Sequence, residues 1–525
     1  MTDTTEPLQA TTPEQPSRHR GWAALSGMVA VGSALAVSQL LAGLSLRIPS
    51  LIVAVGGIIV DFTPLSIVRA SVQVFGANDK PALLIGIVVT ALLIGSVLGV
   101  LSASRRWIGA AGFIVFGVLG AWAGTRDPLV SDLAAVIAAS VASATGIAVL
   151  FWLLGAVEAA ETADDQQVYA EDRRRFIISA AAFAVAAVVA AVAGRVLGAR
   201  SIVEAARSSV ELASGAEVTE TVTAGLSTAS YPGLSPLYTP NEIFYRIDTA
   251  LMTPQVDPAN WKLRFTGMVD NPFELTFDEL LAMPMVEQTI TIACVSNKVG
   301  GRLIGNARWL GVPLRNLLDE AGVQPGATQI VGRSVDDFTV GFPTSTLDGD
   351  RPALVAVGMN GEPLPADHGF PARLVVSGLY GYVSATKWLT EVEMTTLEGY
   401  DAYWIPRGWA KEAPIKTQSR IDTPRRPVAQ GIIPIAGVAW AQSRDIVRVE
   451  VQVDDLGWVD ATLSERISEH AWRQWVYLWE AAPGAHRLRV RATDGTGETQ
   501  TEQEQPPRPD GATGYHTVTV EVTAA

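Results

Sequence analysis

"TIACVSNKVGGRLIGNARWLGVPL" occupies residues 291–314 and decides how the middle of this chain is interpreted. An apolar run typical of a buried strand ends at Cys294, and polar residues and glycines follow it. Cys294 is the only cysteine among 525 residues. A single cysteine excludes disulfides within the chain and the paired-cysteine spacings of structural zinc sites and iron–sulfur clusters. The thiol is therefore either an ordinary buried side chain or a group with one chemical role.

The formal net charge is −14 at pH 7, and it comes mainly from scattered Asp and Glu residues without a long acidic block. An acidic chain lacks the basic patch that binds phosphate backbones, so we expect no nucleic-acid partner.

Apolar residues concentrate before residue 200 and predict an all-α membrane domain over residues 21–198, after a cytoplasmic tail of residues 1–20. Five stretches are each long enough to cross a hydrocarbon core of about 30 Å as helices. They are residues 21–44, 82–101, 107–124, 132–155 and 176–198. A sixth stretch, residues 50–68, contains Asp61 and Pro64, so we predict a re-entrant or interfacial segment there. Five spans place the main arginine clusters in the cytoplasm and everything after residue 198 outside.

Two features of this domain allow alternative interpretations. "EDRRRF", which begins at residue 171 and precedes the last apolar stretch, resembles a twin-arginine export signal, but it could equally be positive charge that holds a loop inside. Asp61 could mark a solute path, although an interfacial loop explains it as well. Residues 21–198 contain no histidine or cysteine, so we expect neither haem nor copper among these helices.

Residues 199–234 are rich in Ser, Thr, Ala and Gly and are interpreted as a linker. Short β-rich runs then alternate with short helical patterns, which predicts a mixed α+β domain over residues 235–412. Thr276 with Glu279 has the spacing of a helix-starting capping box. No GxGxxG or P-loop motif opens a helix, so a nucleotide is not the expected ligand.

Two segments of this region resemble the molybdopterin domain of the sulfite oxidase family. They are "CVSNKVGGRLIGNARWLGVPLRNLLDEAG" (residues 294–322) and "VAVGMNGEPLPADHGFPARLVVSGLYGYVSATKWL" (residues 355–389). The resemblance covers roughly residues 235–395 and implies a molybdenum–molybdopterin cofactor whose metal is bound by Cys294. Thiolates bind metals, and a high-valent metal readily displaces a thiol proton whose ordinary pKa is ~8.5.

The resemblance also implies roles for other residues. An anionic pterin phosphate needs cationic and amide donors. The implied cofactor-binding residues are Asn241, Tyr245, Asn297, Ser334, His368, Arg373, Ser384, Thr386 and Lys387. The implied catalytic residues are Arg246, Trp309 and Lys298. Without the resemblance, "HGFPAR" would be a surface turn with a solvated His368.

The chain departs from the sulfite oxidase pattern at two places. Val357 occupies the position of a tyrosine that lies two residues before the Met of "MNG" in sulfite oxidases. Lys298 and Val299 follow Asn297, where those enzymes have an arginine pair. Both changes remove donors to an oxyanion, so the expected substrate is a small oxyanion, a sulfoxide or an N-oxide rather than sulfite specifically.

After "DTPRRPVAQG" (residues 422–431), alternating apolar runs separated by turn residues predict an immunoglobulin-like β-sandwich, and we assign this domain to residues 413–525. It resembles the dimerisation domain of the same family, which implies a homodimer, although a monomer remains open. Trp472, Trp475 and Trp479 are expected in its core.

Together these features indicate a multi-pass cell-membrane protein with an extracytoplasmic molybdenum oxidoreductase domain. The five histidines offer no pair of axial ligands, so no haem is expected, and electrons would pass to an external carrier such as a cytochrome or a quinone-linked haem protein. The alternatives are a receptor or adhesion protein with an immunoglobulin-like outer domain, and a transporter with an appended sensor.

Overall fold

In the computed structural model, the chain forms two compact units, Met1–Ser201 and Ile202–Ala525. It describes residues 17–64, 67, 70–71, 74–75, 78–127, 130–161, 166–199, 202–212, 217–218 and 225–524. Most of the predicted cytoplasmic tail and parts of the predicted linker and of the 50–68 stretch lie outside the described residues.

The first unit is a bundle of helices, as its continuous apolar runs predict. Its described helices are α1 (Ser17–Leu44), α2 (Leu51–Phe62), α3 (Asp79–Ser104), α4 (Arg106–Gly124), α5 (Asp132–Glu161) and α6 (Gln166–Ala199). Five helices of the described part are long and apolar enough to cross a membrane, in agreement with the predicted number of long apolar helices. Helix α2 rises only about 18 Å over its length and is too short to cross a core of about 30 Å.

Helix α1 lies at the centre of the bundle and packs against α3, α5 and α6. A Cβ at Gly27 of α1 would collide with the backbone of Gly95 and Gly99 in α3. Small residues four apart allow the backbones of two helices to approach this closely. The glycines therefore fix the α1–α3 contact.

The predicted linker differs from the structure, because part of it folds onto the second unit. Helix α7 (Ile202–Ser208) buries Val203 and its Arg207 donates to the carbonyl of Pro363 at 3.2 Å. Strand β1 (Glu217–Val218) pairs in parallel with a strand of the following domain. The alanines that suggested a flexible linker are also good helix formers, and this stretch uses them in that way.

The α/β region of the second unit holds two sheets. The first has the strand order β1-β4-β5-β8-β10, with β9 paired to β8, and the second has the order β3-β2-β11-β6-β7. Their strands are β2 (Lys262–Gly267), β3 (Phe273–Thr276), β4 (Val286–Ala293), β5 (Ile304–Pro313), β6 (Gln329–Ser334), β7 (Thr339–Pro343), β8 (Ala353–Met359), β9 (Glu362–Pro363), β10 (Arg373–Val376) and β11 (Leu389–Thr395).

Short helices connect these strands, as the sequence predicts. They are α8 (Phe277–Ala282), α9 (Leu314–Ala321), α10 (Gly381–Ser384) and the 3₁₀ turns Asn241–Ile243, Thr344–Leu347 and Ala366–His368. The Thr276 hydroxyl accepts a hydrogen bond from the Glu279 N–H, and the Glu279 carboxylate accepts from the Thr276 N–H. The predicted capping box is confirmed.

The C-terminal region is β-rich, with two sheets that share one core. The sheet orders are β12-β14-β18-β17 and β13-β20-β19-β15-β16. The strands are β12 (Gln418–Thr423), β13 (Val428–Ala429), β14 (Gly431–Trp440), β15 (Ile446–Val453), β16 (Val459–Asp460), β17 (Thr462–Leu463), β18 (Arg473–Ala481), β19 (Gly484–Asp494) and β20 (His516–Thr523). Trp475 and Trp479 lie in the shared core and Trp472 is also buried, as expected.

Candidate functional site

The cysteine loop, residues 294–303, connects two antiparallel strands and fixes the position of the thiol. Cys294 directly follows β4, and its N–H donates to the carbonyl of Leu303 at 2.9 Å. The Leu303 N–H donates to the side-chain carbonyl of Asn297 at 2.9 Å. Both bonds close the loop at its base, so Cys294 is held by the hairpin rather than by a mobile connection.

The C-terminal β-rich region holds the far end of the same loop. The guanidinium of Arg420, in β12, donates to the carbonyl of Gly301 at 2.8 Å. The imidazole of His516, in β20, lies directly against Gly300, whose φ is +71°. A Cβ at Gly300 would overlap the His516 ring. Glycine is therefore required there both by backbone conformation and by contact.

A cavity of about 130 Å³ opens beside Cys294. Its wall is largely aromatic and aliphatic, with a few polar groups directed into it. The polar and titratable lining includes Tyr245, Asp248, Cys294, Arg373, Tyr382 and Lys387.

The Cys294 thiol lies in a low-dielectric position. Only 8 % of the residue is exposed, and burial raises the pKa of its thiol. Hydrogen bonds from the Ser296 N–H and side chain act in the opposite direction. A thiol with a raised pKa stays protonated near pH 7 unless a cation draws it into the thiolate form.

Arg373, the first residue of β10, presents a buried positive charge to the cavity. It is 4 % exposed, its Nη1 donates to the carbonyl of His368 at 3.0 Å, and its guanidinium lies 4.9 Å from the ring centroid of Trp309. No carboxylate among the described residues pairs with it, and its Nε has no hydrogen-bond partner. Burial lowers the pKa of Arg373 to about 10. A buried cation without a counter-charge indicates a place for an anion.

A second cation, Lys387, is already neutralised. Its Nζ lies 2.8 Å from the Asp248 carboxylate and donates to the carbonyl of Asp367 at 3.1 Å. Burial lowers the pKa of Lys387 to about 8, against the raising effect of Asp248. Arg246 lies 3.2 Å from Asp248 and 2.8 Å from the Asp367 carboxylate, so it closes the same network from outside.

His368 forms part of the cavity wall as a neutral ring. Its Nε2 lies 2.9 Å from the carbonyl oxygen of Asn241, and its ring packs at 5.6 Å against Phe244. Burial lowers the pKa of His368 to about 4. The ring is therefore uncharged near pH 7 and acts as a hydrogen-bonding group.

Comparison with known proteins assigns a family to this arrangement. Residues 250–404 match the family described as "Oxidoreductase molybdopterin binding domain". The chain is 33 % identical over 153 residues to the uncharacterized oxidoreductase YuiH of Bacillus subtilis, covering 74 % of that protein and 29 % of this chain. The chain belongs to the sulfite oxidase family of molybdopterin-dependent oxidoreductases.

The matches to other relatives cover different shares of this chain and of the relative. It is 30 % identical over 301 residues to human mitochondrial sulfite oxidase, covering 48 % of this chain and 55 % of that protein. The chain thus spans about half the length of the curated sulfite oxidases that it matches. The sulfane dehydrogenase SoxCD of Paracoccus pantotrophus shares 24 % identity, with a TM-score of 0.49 over 56 % of this chain and 85 % of that chain.

The residues of the cavity fit the cofactor that the family carries. Cys294, the metal ligand that the resemblance implies, lines this cavity. No three His, Cys, Asp or Glu side chains converge on a metal position within the described ranges. The Nε of Arg373, a residue that lines the cavity, is buried and has no hydrogen-bond partner. Orphaned buried polar atoms of this kind are satisfied when an anionic ligand binds.

The predicted site residues fall into two groups, those that line the cavity and those that do not. The residues that line the cavity are Tyr245, Cys294, Ser334, His368, Arg373 and Lys387. Those that do not line it are Asn241, Arg246, Asn297, Lys298, Trp309, Ser384 and Thr386. The buried members of the second group support the wall: for example, Ser384 donates to the carbonyls of Leu379 and Tyr380.

Three members of that second group are the residues for which the resemblance implies a catalytic role. Lys298 is exposed on the cysteine loop, and Arg246 is exposed and paired with carboxylates. Trp309 is fully buried, and its indole N–H donates to the carbonyl of Ile290 at 3.0 Å. Its ring lies beneath Arg373, so it positions that guanidinium instead of lining the cavity.

Sequence reasoning missed several lining residues. Asp248 lies only two residues after Arg246, and Tyr382 lies inside the quoted segment of residues 355–389. Trp404 and Trp409 come from a loop after β11 that carries no periodic signal. Val357, the position of the missing tyrosine, is fully buried in β8 and is not among the lining residues.

We expect the stability of the protein to fall on acidification between pH 6.5 and pH 4. Burial lowers the pKa of His368, His470 and His516 to about 4 each. As pH falls, the imidazoles of the unfolded chain are protonated near their ordinary pKa of 6.5, whereas those of the folded chain are protonated only near 4. The stability that these neutral rings provide is therefore fully present above pH 6.5 and is lost as pH falls through the pKa values of the folded chain. Each ring contributes about 3 kcal/mol to this loss.

Thermal unfolding of the full chain in detergent, followed by tryptophan fluorescence from pH 7 to pH 4.5, measures this loss. In the wild type, the Ile421 N–H donates to His516 Nδ1 at 2.9 Å. His516→Gln removes one of the three titrating rings and keeps an acceptor for that N–H. The variant should lose less stability over this range than the wild type. An unchanged pH dependence would contradict the assignment.

Proposed function

We propose that this chain is a membrane-anchored, extracytoplasmic oxidoreductase that holds a molybdenum–molybdopterin cofactor and transfers an oxygen atom to or from a small oxyanion, a sulfoxide or an N-oxide. The observation that carries the proposal is the juxtaposition, in one cavity of a chain of this family, of the single thiol Cys294 and the buried, carboxylate-free guanidinium of Arg373. One group fits a metal and the other fits an anion.

The bound cofactor would supply two-electron oxidation and reduction of the substrate. Cys294 would be the protein ligand of the metal, with Asn297 shaping its loop and the Ser296 N–H stabilising its thiolate form. Arg373 would bind the pterin phosphate, and Thr386, which does not line the cavity, would support the wall from behind.

The remaining lining residues would orient the cofactor and exclude water. Neutral His368, whose Nε2–H donates to the carbonyl of Asn241, would accept one hydrogen bond at Nδ1, and Tyr245 and Ser334 would contact the pterin edge. Asn241, whose side chain donates to the carbonyl of Met359 at 3.3 Å, and Ser384 would support these residues from behind. Arg246 would act through Asp248, which holds Lys387.

The remaining parts of the chain would anchor the protein in the membrane and support electron exchange with a carrier. The five long apolar helices would anchor the protein in the cell membrane, with everything after residue 198 outside. The α/β domain would span residues 235–412 and an immunoglobulin-like dimerisation domain residues 413–525, because two sheets enclose one core there. Electrons would pass one at a time to or from an external carrier such as a cytochrome or a quinone-linked haem protein.

Metal analysis and dye-coupled assays test the proposed function. The full chain, expressed with ample molybdate and purified in detergent, should contain about one molybdenum per chain and turn over sulfite, methionine sulfoxide or an N-oxide. Folded protein without molybdenum or pterin would overturn the proposal. Fractionation of cells that express the Arg173→Lys, Arg174→Lys variant tests the export route, since loss of the outer domain from the outside is expected only for twin-arginine export.

A further inference from the structure

The strand that ends beside Cys294 has an open edge, and the C-terminal β-rich region completes it. Strand β1 covers this edge of β4 only at residues 286–287. Further along β4, the Thr291 N–H donates to the carbonyl of His470 at 3.0 Å. The side-chain amide of Gln442 donates to the Thr291 carbonyl at 3.0 Å. The backbone groups that an edge strand would leave unpaired are therefore bound here by the β-rich region.

The far end of the cysteine loop depends on the same region, because two adjacent glycines form it. Glycine without an external contact populates many backbone conformations, and fixing it costs the most entropy. The Gly301 N–H donates within the loop, to the carbonyl of Lys298 at 2.8 Å. The Gly301 carbonyl is bound from outside the loop by Arg420. Contacts with the β-rich region therefore lie on both sides of Cys294 in the chain.

The two side chains that make these contacts lie outside the cavity. Arg420 is 4 % exposed, its Nε lies 2.6 Å from the Asp422 carboxylate, and its Nη2 donates to the Ser235 hydroxyl at 2.9 Å. Its charge is thus balanced by a carboxylate. Gln442 is 1 % exposed, and neither it nor Arg420 is among the lining residues. Both act on Cys294 from beyond the space that a cofactor would occupy.

A metal-binding side chain must be held within about 0.5 Å of its productive position by the groups that support it. We propose that Arg420 and Gln442 are positioning residues, which hold the Cys294 sulfur at its metal-binding position from the β-rich region. The inference rests on the proposed function for the identity of the metal. It gives the β-rich region a part in the chemistry of the site.

The first test measures how well the thiol is protected in the full chain, purified in detergent from cells that make no molybdopterin. Cys294 is the only thiol, so the rate of its modification by dithiobis(nitrobenzoate) reports opening of the cysteine loop. We expect Arg420→Met to be modified about tenfold faster than the wild type, because a hydrogen bond from a charged donor is lost. Gln442→Met, which loses a neutral donor to Thr291, should be modified about fivefold faster.

A rescue variant and a matched control separate positioning from general stability. Arg420→Lys keeps a charged donor near Gly301 and should restore most of the protection. Arg491→Met is the control, because Arg491 of the β-rich region also pairs with a buried carboxylate, that of Glu450 at 2.8 Å. Its hydrogen bonds go to Glu450 and not to the cysteine loop, so the wild-type rate is expected. An equally raised rate in Arg491→Met would overturn the inference.

The second test uses the molybdenum-loaded full chain. Electron paramagnetic resonance of the one-electron-reduced protein should show shifted g values in Arg420→Met and Gln442→Met, and wild-type values in Arg491→Met. A merely structural role would not move this signature of sulfur geometry. Wild-type modification rates and g values in both Arg420→Met and Gln442→Met would overturn the inference. Protein without molybdenum would refute the proposed function, whereas the modification rates would still test the positioning of Cys294.

Discussion

Replacement of Cys294 by serine is expected to reduce turnover by about a thousandfold or more. Changes in the groups around metal ligands already reduce activity by about 10–100-fold, and loss of the ligand itself should exceed that. The chain has no second cysteine that could take over. Steady-state assays of the molybdate-grown protein, normalised to molybdenum content, measure the effect.

A structural readout accompanies this prediction. X-ray absorption at the molybdenum edge should show one sulfur neighbour fewer in Cys294→Ser than in the wild type. Ser296→Ala is the control, because it removes a hydroxyl next to the thiol and leaves the sulfur in place. An identical sulfur shell in wild type and Cys294→Ser would mean that the thiol is an ordinary buried side chain.

Replacement of Arg373 by methionine is expected to have opposite effects on the cofactor-free and the loaded protein. Burial holds the pKa of Arg373 near 10, well below its ordinary value of 12.5. Removing this charge should therefore stabilise the cofactor-free protein by about 3 kcal/mol. The same change removes the cation for the pterin phosphate, so cofactor content should fall at least about tenfold.

Thermal unfolding of protein from cells that make no molybdopterin measures the first effect, and pterin fluorescence of protein from ordinary cells measures the second. Arg264→Met is the control, because the Arg264 side chain is exposed on β2 and pairs with Glu391 at 2.9 Å. It should change neither quantity appreciably. A less stable cofactor-free Arg373→Met protein would show that the guanidinium serves the fold.

The strands and the thiol position were predictable from sequence because their signals are local. The apolar run before Cys294 forms β4, and the run "ARLVVSG" forms β10 with Arg373 at its start. Four of the six implied site residues that line the cavity lie in the two quoted segments, namely Cys294, His368, Arg373 and Lys387. Periodicity and a contiguous motif suffice for groups of this kind.

The two tryptophans of the cavity lining that follow β11 were not predictable in the same way. Trp404 and Trp409 lie more than 100 residues after Cys294, in an irregular loop whose position depends on hydrogen bonds from Arg508 and to Pro509. Trp309 shows the converse: its segment was recognised, but only the register of β5 against β4 turns its ring beneath Arg373. Side-chain direction of this kind follows from tertiary packing, which no local pattern encodes.

The contacts of Arg420 and His516 with the cysteine loop set an order of events during synthesis. His516 belongs to the final strand, more than 200 residues downstream of Cys294. A ribosome therefore adds more than 200 residues after Cys294 before His516 can contact Gly300. The cysteine loop gains its last constraint only when β20 has been synthesised and has paired within its sheet.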